Sequence, residues 1–344
     1  MKRIISIFLI ISMIVLCTSC GTKQAGKEPY STSFECFDTV CKLTIYDKKP
    51  KKELDKIATK LTDICIECDG LFNMSDSSYY DESVGKAFGF GEDYCDIAYW
   101  GIKYGKLTDG ALDITIDPIV KLWNINGDKF KVPSDSDIKD KLKLVDYKKI
   151  EDGGNLYTID KNQTIDLGAI AKGYVTDRLI EELDRYKVKS ALIDLGGNIY
   201  AYGSKEGKPF KVGIKKPFSK DELSATVNAK DKAVITAGIY QRYKKYKGKI
   251  YSHIMDPKTG RPVDNDLNSV TIISNNPAKA TADEYSIACV AADAYSTACM
   301  VMGLDKGMKF VNNTKDIEAV FIDKDNKLHL SKGLEMKGDE INIK

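Results

Sequence analysis

The sequence predicts an α+β fold built mainly of antiparallel sheets with packed helices. Short apolar or alternating runs come in hairpin-like pairs, most clearly residues 190–193 and 199–202 around Asp194-Leu195-Gly196-Gly197-Asn198. Long segments with apolar residues three and four apart separate these pairs. The regular strand–helix–strand alternation of a parallel sheet is missing.

The elements follow in order. Residues 40–46 alternate as a strand, and residues 51–71 carry Leu54, Ile57, Leu61, Ile64, Cys65 and Cys68 on one helical face. Residues 73–83 are polar, rich in serine and aspartate, and read as a loop. A second helix covers residues 94–107 and stops near Asp109-Gly110. Residues 151–166 read as a hairpin, with Leu156, Tyr157 and Ile159 turning at Lys161-Asn162-Gln163 into residues 164–167. Residues 171–186 form a helix, with Val175, Leu179, Ile180 and Leu183 on one face. Further strands are expected at residues 210–214, 225–228, 233–235, 269–273, 319–322 and 327–330, and a helix at 293–302. No repeat or low-complexity tract interrupts the chain.

The N-terminus sets the compartment. Lys2 and Arg3 precede an apolar run, residues 4–16, broken only by Ser6 and Ser12. That run is too short to span a bilayer as a stable helix, and Cys17-Thr18-Ser19-Cys20-Gly21 follows. A cysteine after two small residues resembles the bacterial lipoprotein cleavage site, with Cys17 where leucine is preferred. Residues 1–19 are thus expected to be a signal peptide, Cys20 the diacylated new N-terminus, residues 20–33 a tether and residues 34–344 one catalytic domain. Two acyl chains suffice for stable anchoring at the extracytoplasmic face of the membrane. An ordinary signal peptide or an uncleaved anchor shares the first part of this layout.

Without residues 1–19 the chain carries 50 basic and 50 acidic residues. That balance gives no reason to expect a nucleic-acid partner. Seven cysteines besides Cys17 and Cys20 are an odd number at irregular spacing, which is no disulfide framework. Cys65-Ile66-Glu67-Cys68 has redox spacing but lies in a helical pattern, and is read as two buried helical thiols. With only His253 and His329 as histidines, a structural zinc site is not expected.

Four stretches concentrate chemistry. Thr108-Asp109-Gly110-Ala111-Leu112-Asp113 puts small residues at a helix end, where a ligand can approach the backbone, though a plain helix terminus looks the same. Asp166-Leu167-Gly168-Ala169-Ile170-Ala171-Lys172-Gly173 leads from a strand into a helix. Free N–H groups there, with the Lys172 ammonium, would suit a phosphate, and the Ala169 carbonyl could serve as a hard oxygen ligand. It is neither GxGxxG nor a P-loop. The segment Ser252-His253-Ile254-Met255-Asp256-Pro257-Lys258-Thr259-Gly260 offers His253 as a general base or as a structural histidine, with Asp256 and Thr259 forming an Asx-type turn. Finally, Asp293 and Thr297 stand four apart on a helix, so their oxygens share a face and could hold one hard cation, or merely cap and back-bond that helix.

In this order the segments resemble the ApbE family, the FAD:protein FMN transferases. The resemblance runs from Phe37-Asp38-Thr39 through TDGALDITIDPIVKLW, IDLGAIAKGYVTDR, LIDLGGNIYAYG, ITAGIYQRY and YSHIMDPKTGRPV to ADAYSTACMVMG. It implies an α+β domain of two intertwined halves of the T-fold type. It implies Mg²⁺ held by the Ala169 carbonyl, Asp293 and Thr297. It implies FAD contacts from Phe37, Ala111, Leu112, Asp113, Asp166, Lys172 and Met255, with His253 assisting the chemistry. The substrate would be FAD, and the partner an acceptor protein whose Ser or Thr hydroxyl receives FMN, most naturally an extracytoplasmic redox subunit. Hydrolysis of FAD to FMN and AMP would use the same groups, and a non-catalytic flavin-binding lipoprotein is the third reading.

Four departures stand out. Between Met74 and Trp100 the chain is shorter than the family pattern, and Ser75 is the candidate for the flavin contact usually drawn from there. Asp117 replaces a glycine before Pro118. Ala237 and Ile239 replace more polar residues. Residues 275–291 insert about one helix, in which Ala282-Asp283 mimics Ala292-Asp293 but is followed by Ile287, which cannot ligate.

Overall fold

The computed structural model describes residues 28–73, 79–81, 85–88, 92–128, 130–153, 157–275 and 288–344. Eight strands form its main sheet and cross it in chain order. They are β1 (Tyr30–Cys36), β2 (Thr39–Ile45), β3 (Ser190–Leu195), β4 (Asn198–Gly203), β5 (Lys232–Gly238), β6 (Leu267–Asn275), β7 (Ile317–Asp323) and β8 (Leu328–Leu330). Every neighbouring pair is antiparallel. The helices are α1 (Lys51–Asn73), α2 (Glu92–Leu107), α3 (Asp117–Trp123), α4 (Asp135–Leu142), α5 (Ala171–Arg185), α6 (Ala288–Met302) and α7 (Leu304–Asn313). This is the α+β class that the sequence predicts.

Side-chain alternation divides the sheet between two cores. Ala233, Ile235, Val270, Ile272, Ala319 and Phe321 face the core that contains the buried faces of α1, α5 and α6. Their neighbours Val234, Ile273, Val320 and Ile322 face a second core. That core is closed by a four-stranded sheet of Leu334–Lys337, Glu340–Ile343, Leu223–Ala229 and Phe210–Lys215, in that order. With both faces covered, the central strands are buried at nearly every position, polar residues such as Ser269 and Thr271 included. A third, smaller cluster gathers Ile119, Trp123, Ile125, Ile138 and Met255. The Trp123 indole donates to the Gly260 carbonyl at 2.8 Å and ties this cluster to the turn beyond Met255.

The crossing of α5 and α6 positions the chemistry. A Cβ on Gly173 would lie 2.4 Å from the Cys289 carbonyl oxygen, so only glycine lets the helices approach so closely. The Asp177 carboxylate of α5 then accepts the Cys289 and Val290 N–H groups at 3.1 and 2.9 Å, capping the described start of α6 from another helix.

Several expectations change. β1 begins at Tyr30, inside the stretch read as tether, and residues 1–27 lie outside the described residues. A strand, Tyr79–Asp81, falls in the expected loop and pairs with Gly85–Phe88. The hairpin at residues 151–166 is built otherwise: Tyr157–Ile159 pairs with Glu151–Asp152 and with Gly85–Phe88. Residues 164–167 form no ladder, because the buried Gln163 side chain holds the turn, donating to Leu144 O at 2.9 Å. The Asp166 N–H then goes to Ile114 O at 2.7 Å instead of to a strand partner. α6 starts by Ala288, ahead of the expected residue 293, while Ala282, Asp283 and Ile287 lie outside the described residues. Cys65 and Cys68 are buried on α1 as expected, and burial pushes both thiols up, away from the reactive thiolate.

Candidate active site

Two contiguous cavities, of about 270 and about 180 Å³, meet at Asp166, Gly168 and Arg242. Phe37 and Lys172 line the larger, together with Asp38, Asp117 and Phe72. Ala111, Leu112, Asp113, Ala169, His253, Met255 and Thr297 line the smaller. Segments far apart in the chain thus converge, and the sequence-chosen residues fall on one continuous surface. Asp293 lies buried beside it, and Ser75 lies outside the described residues.

The loop into α5 carries the central geometry. The Asp166 carboxylate accepts the Gly168 N–H at 2.7 Å, and the Leu167 carbonyl accepts the Ile170 and Ala171 N–H groups, each at 2.9 Å. Gly173 would ordinarily donate to the Ala169 carbonyl as the helix continues. Its N–H donates instead to Asp293 Oδ2 at 2.9 Å. Among the described residues no backbone N–H donates to the Ala169 carbonyl, and Ala169 lines the smaller cavity, whose wall Thr297 shares. The segment and the helix α6 thus offer a carbonyl, a carboxylate and a hydroxyl, the oxygen types that suit a hard cation. Burial pushes the Asp293 carboxyl up, against the pull of Lys172, Asn198 and the Gly173 N–H. Among the described residues no group of three or more His, Cys, Asp and Glu could hold a metal, so a cation here would depend on this mixed set.

The same contacts correct the anion site expected at this helix start. The N–H groups of Ala171, Gly173 and Tyr174 are already given to Leu167 O, Asp293 and Ile170 O. What the segment keeps for an anion is the Lys172 side chain and its own backbone N–H, which no described acceptor takes, not a full row of N–H groups.

His253 Nδ1 lies 3.1 Å from the Arg242 carbonyl, which also accepts the His253 backbone N–H at 3.0 Å. A carbonyl can only accept, so Nδ1 carries the proton and Nε2 keeps its lone pair. Burial pushes the imidazole down to about 4, helped by the charges of Arg242 and Lys172. The ring is therefore neutral at neutral pH and able to take a proton.

Other chosen residues have structural duties. Asp113 accepts Thr115 N and Oγ1 at 2.8 and 2.6 Å and Tyr147 N at 3.0 Å. These bonds hold its carboxylate in the wall of the smaller cavity, which Asp113 lines. Asp256 accepts Lys258 N at 2.8 Å and Thr259 Oγ1 at 3.0 Å, making the expected Asx turn after Met255. Sequence reasoning missed Arg242 and left Asp117 without a role. Arg242 stands inside the quoted ITAGIYQRY run, but nothing local marks it as facing both cavities. Asp117, noted only as a departure, is buried at the rim and paired with Lys121 at 2.9 Å.

A model of the ApbE family matches residues 37–321 of the chain. The FAD:protein FMN transferase of Klebsiella pneumoniae (strain 342) is 34% identical over 229 residues, 65% of this chain and 66% of that protein. The FAD:protein FMN transferase of Treponema pallidum (strain Nichols) is 28% identical over 348 residues, 93% of each chain. The crystal structure of the ApbE protein from Thermotoga maritima superposes with a TM-score of 0.76 at 26% identity, covering 89% of this chain and 97% of that one. Since the match runs from the β1–β2 turn to β7 and takes in every segment that lines the two cavities, the chain belongs to the ApbE family and is a transferase.

Proposed function

We propose that this chain is an FAD:protein FMN transferase that depends on Mg²⁺ and joins FMN to a Ser or Thr hydroxyl of an acceptor protein, releasing AMP. The observation that carries this reading is the unladdered Ala169 carbonyl, freed where Asp293 takes the Gly173 N–H, in a residue that lines the same cavity as Thr297. Ala169, Asp293 and Thr297 would hold Mg²⁺, which supplies positive charge to pyrophosphate oxygens when bound.

The chain's own residues do the rest. Ala111, Leu112 and Met255 give the smaller cavity an apolar wall for a flat ring, and Phe37 contributes to the larger. His253 Nε2 takes the proton of the acceptor hydroxyl as its oxygen forms a bond to the riboflavin-side phosphorus. The phosphorus–oxygen bond to the AMP phosphate breaks, and Lys172 stabilises the charge that collects there. Water in place of the hydroxyl would yield FMN and AMP. Anchoring at the extracytoplasmic face through Cys20 belongs to the same proposal and rests on the layout of residues 1–21. Among the described residues no helix is long and apolar enough to cross a membrane.

The test incubates the chain from Gly21 onward with FAD and MgCl₂, alone and with an extracytoplasmic redox subunit from the same cell. AMP release with a fluorescent acceptor band, both lost in Asp293→Asn, is the expected result. AMP and free FMN without a labelled band would make it a pyrophosphatase, and FAD bound but unchanged would sink both.

A further inference from the structure

We infer that Arg242 is the pyrophosphate clamp of this site, with its guanidinium set at the junction of the two cavities to grip the phosphates that link two halves of a dinucleotide. The inference rests on the FAD reading and adds the residue that recognises the linkage itself.

Position argues first. Besides Asp166 and Gly168, Arg242 alone lines both cavities, so a ligand with one half in each must pass this residue. Charge argues second. The larger cavity is lined by Asp38, Asp69, Asp117 and Asp166, with only Lys172 and Arg242 as cations, and an anion entering it needs a cation to meet it. Against burial, which raises the Asp166 carboxyl, both cations lower it, and Lys172 also acts on Asp293. The helix start offers few donors, because the Ala171, Gly173 and Tyr174 N–H groups are given to Leu167 O, Asp293 and Ile170 O. Arg242 keeps donors beyond its present contacts. Its Nη2 donates to Phe37 O at 3.3 Å, and its Nη1 lies 3.6 Å from an Asp38 side chain that is 85% exposed, a pair that solvent weakens. A planar guanidinium thus keeps donors for two phosphate oxygens at once, a geometry that an ammonium cannot reproduce.

Arg242 also reaches across the cleft to the β1–β2 turn. Phe37 and Asp38 both have left-handed backbone, with φ of 54° and 53°, which is unusual for a bulky aromatic residue. The bond to Phe37 O steadies this turn, which forms the wall opposite Arg242. The Arg242 carbonyl meanwhile orients His253, so phosphate grip and base are fixed by the two ends of one residue. Replacing the side chain leaves that carbonyl in place, which allows the two roles to be separated.

The experiment measures binding of FAD, ADP and riboflavin by calorimetry to the detergent-solubilised full chain with MgCl₂, as wild type, Arg242→Gln and Arg242→Lys. The expected result is a tenfold or greater rise in Kd for FAD and ADP in Arg242→Gln, with riboflavin unchanged within twofold. Arg242→Lys should recover only part of the loss, and the pH profile of kcat/KM should stay put because the backbone still holds His253. Unchanged affinity for FAD and ADP would overturn the clamp. So would an equal loss for riboflavin, which would make Arg242 a brace for the Phe37 turn. If Arg242→Gln does not fold, Arg242→Lys decides: a threefold or greater loss confined to FAD and ADP supports the clamp, and none refutes it. A wild-type chain that binds ADP but never cleaves FAD would refute the functional reading while the clamp is still judged on ADP. Binding of neither would refute both.

Discussion

At the scale of single residues, His253 shows how surroundings define a role. A solvated histidine would lose its base function as the pH falls through about 6.5. Burial holds this one down to about 4, so its base form persists well below neutrality. The acid limb of kcat/KM in the free enzyme should therefore fall near pH 4, not between about 6 and 7. A limb near 6.5 in a pH–rate series would show an imidazole open to water. The sign for stability agrees: the unfolded chain takes up the proton first, so stability is lost as pH falls from about 6.5 towards 4. Asp113 makes the contrasting case. With three donors on its carboxylate, Asp113→Ala should cost about 1–3 kcal/mol in a denaturant titration, mostly as stability. A large fall in FAD affinity with stability intact would instead show the carboxylate reaching the ligand.

At the scale of elements, the α5–α6 crossing governs the site. Gly173→Ala places a methyl 2.4 Å from the Cys289 carbonyl, so the helices must separate. We expect a loss of about 1–3 kcal/mol and a weaker Asp293 contact to Gly173 N–H. Turnover should fall further than melting temperature alone predicts, and normal turnover in this variant would show that the Asp293 contact is dispensable. α5 was legible in the sequence because its apolar face repeats strongly, at Val175, Leu179, Ile180 and Leu183, whereas α6 is buried nearly all round, and its start was expected five residues late. Shorter elements were less legible. α4 was missed although Ser134 accepts Asp137 N at 3.2 Å as an ordinary N-cap, because its polar face drowns the signal of the single buried residue Ile138. The hairpin at residues 151–166 was misplaced because Asp166 and Gln163 make their bonds to distant backbone, which a local pattern does not carry.

At the scale of the whole molecule, stability depends on closing the second face of the main sheet. Glu340–Ile343 inserts parallel to Leu223–Ala229, so the last strand of the chain covers part of the middle. Ile341 and Val227 are both fully buried there. Removing residues 334–344 takes away Leu334 and Ile341, worth together about 3–6 kcal/mol of burial. The truncated chain should melt markedly earlier and tend to aggregate, as read by calorimetry and light scattering. An unchanged melting temperature would mean that the four-stranded sheet is not part of the cooperative unit.

By itself the sequence determined which chemistry could occur. The order of its motifs placed it in its family, the residue types offered hard oxygens, one base and one lysine, and the helical periodicity supplied the faces that pack. The tertiary structure decided which of those groups is free. Whether the Ala169 carbonyl is available depends on Asp293, 120 residues from Gly173, taking the N–H that the helix would otherwise give it. Whether Arg242 faces one cavity or two depends on a turn more than 200 residues earlier in the chain. A hydrogen bond is a competition among all partners within about 3 Å, and only the folded chain says which partners are present.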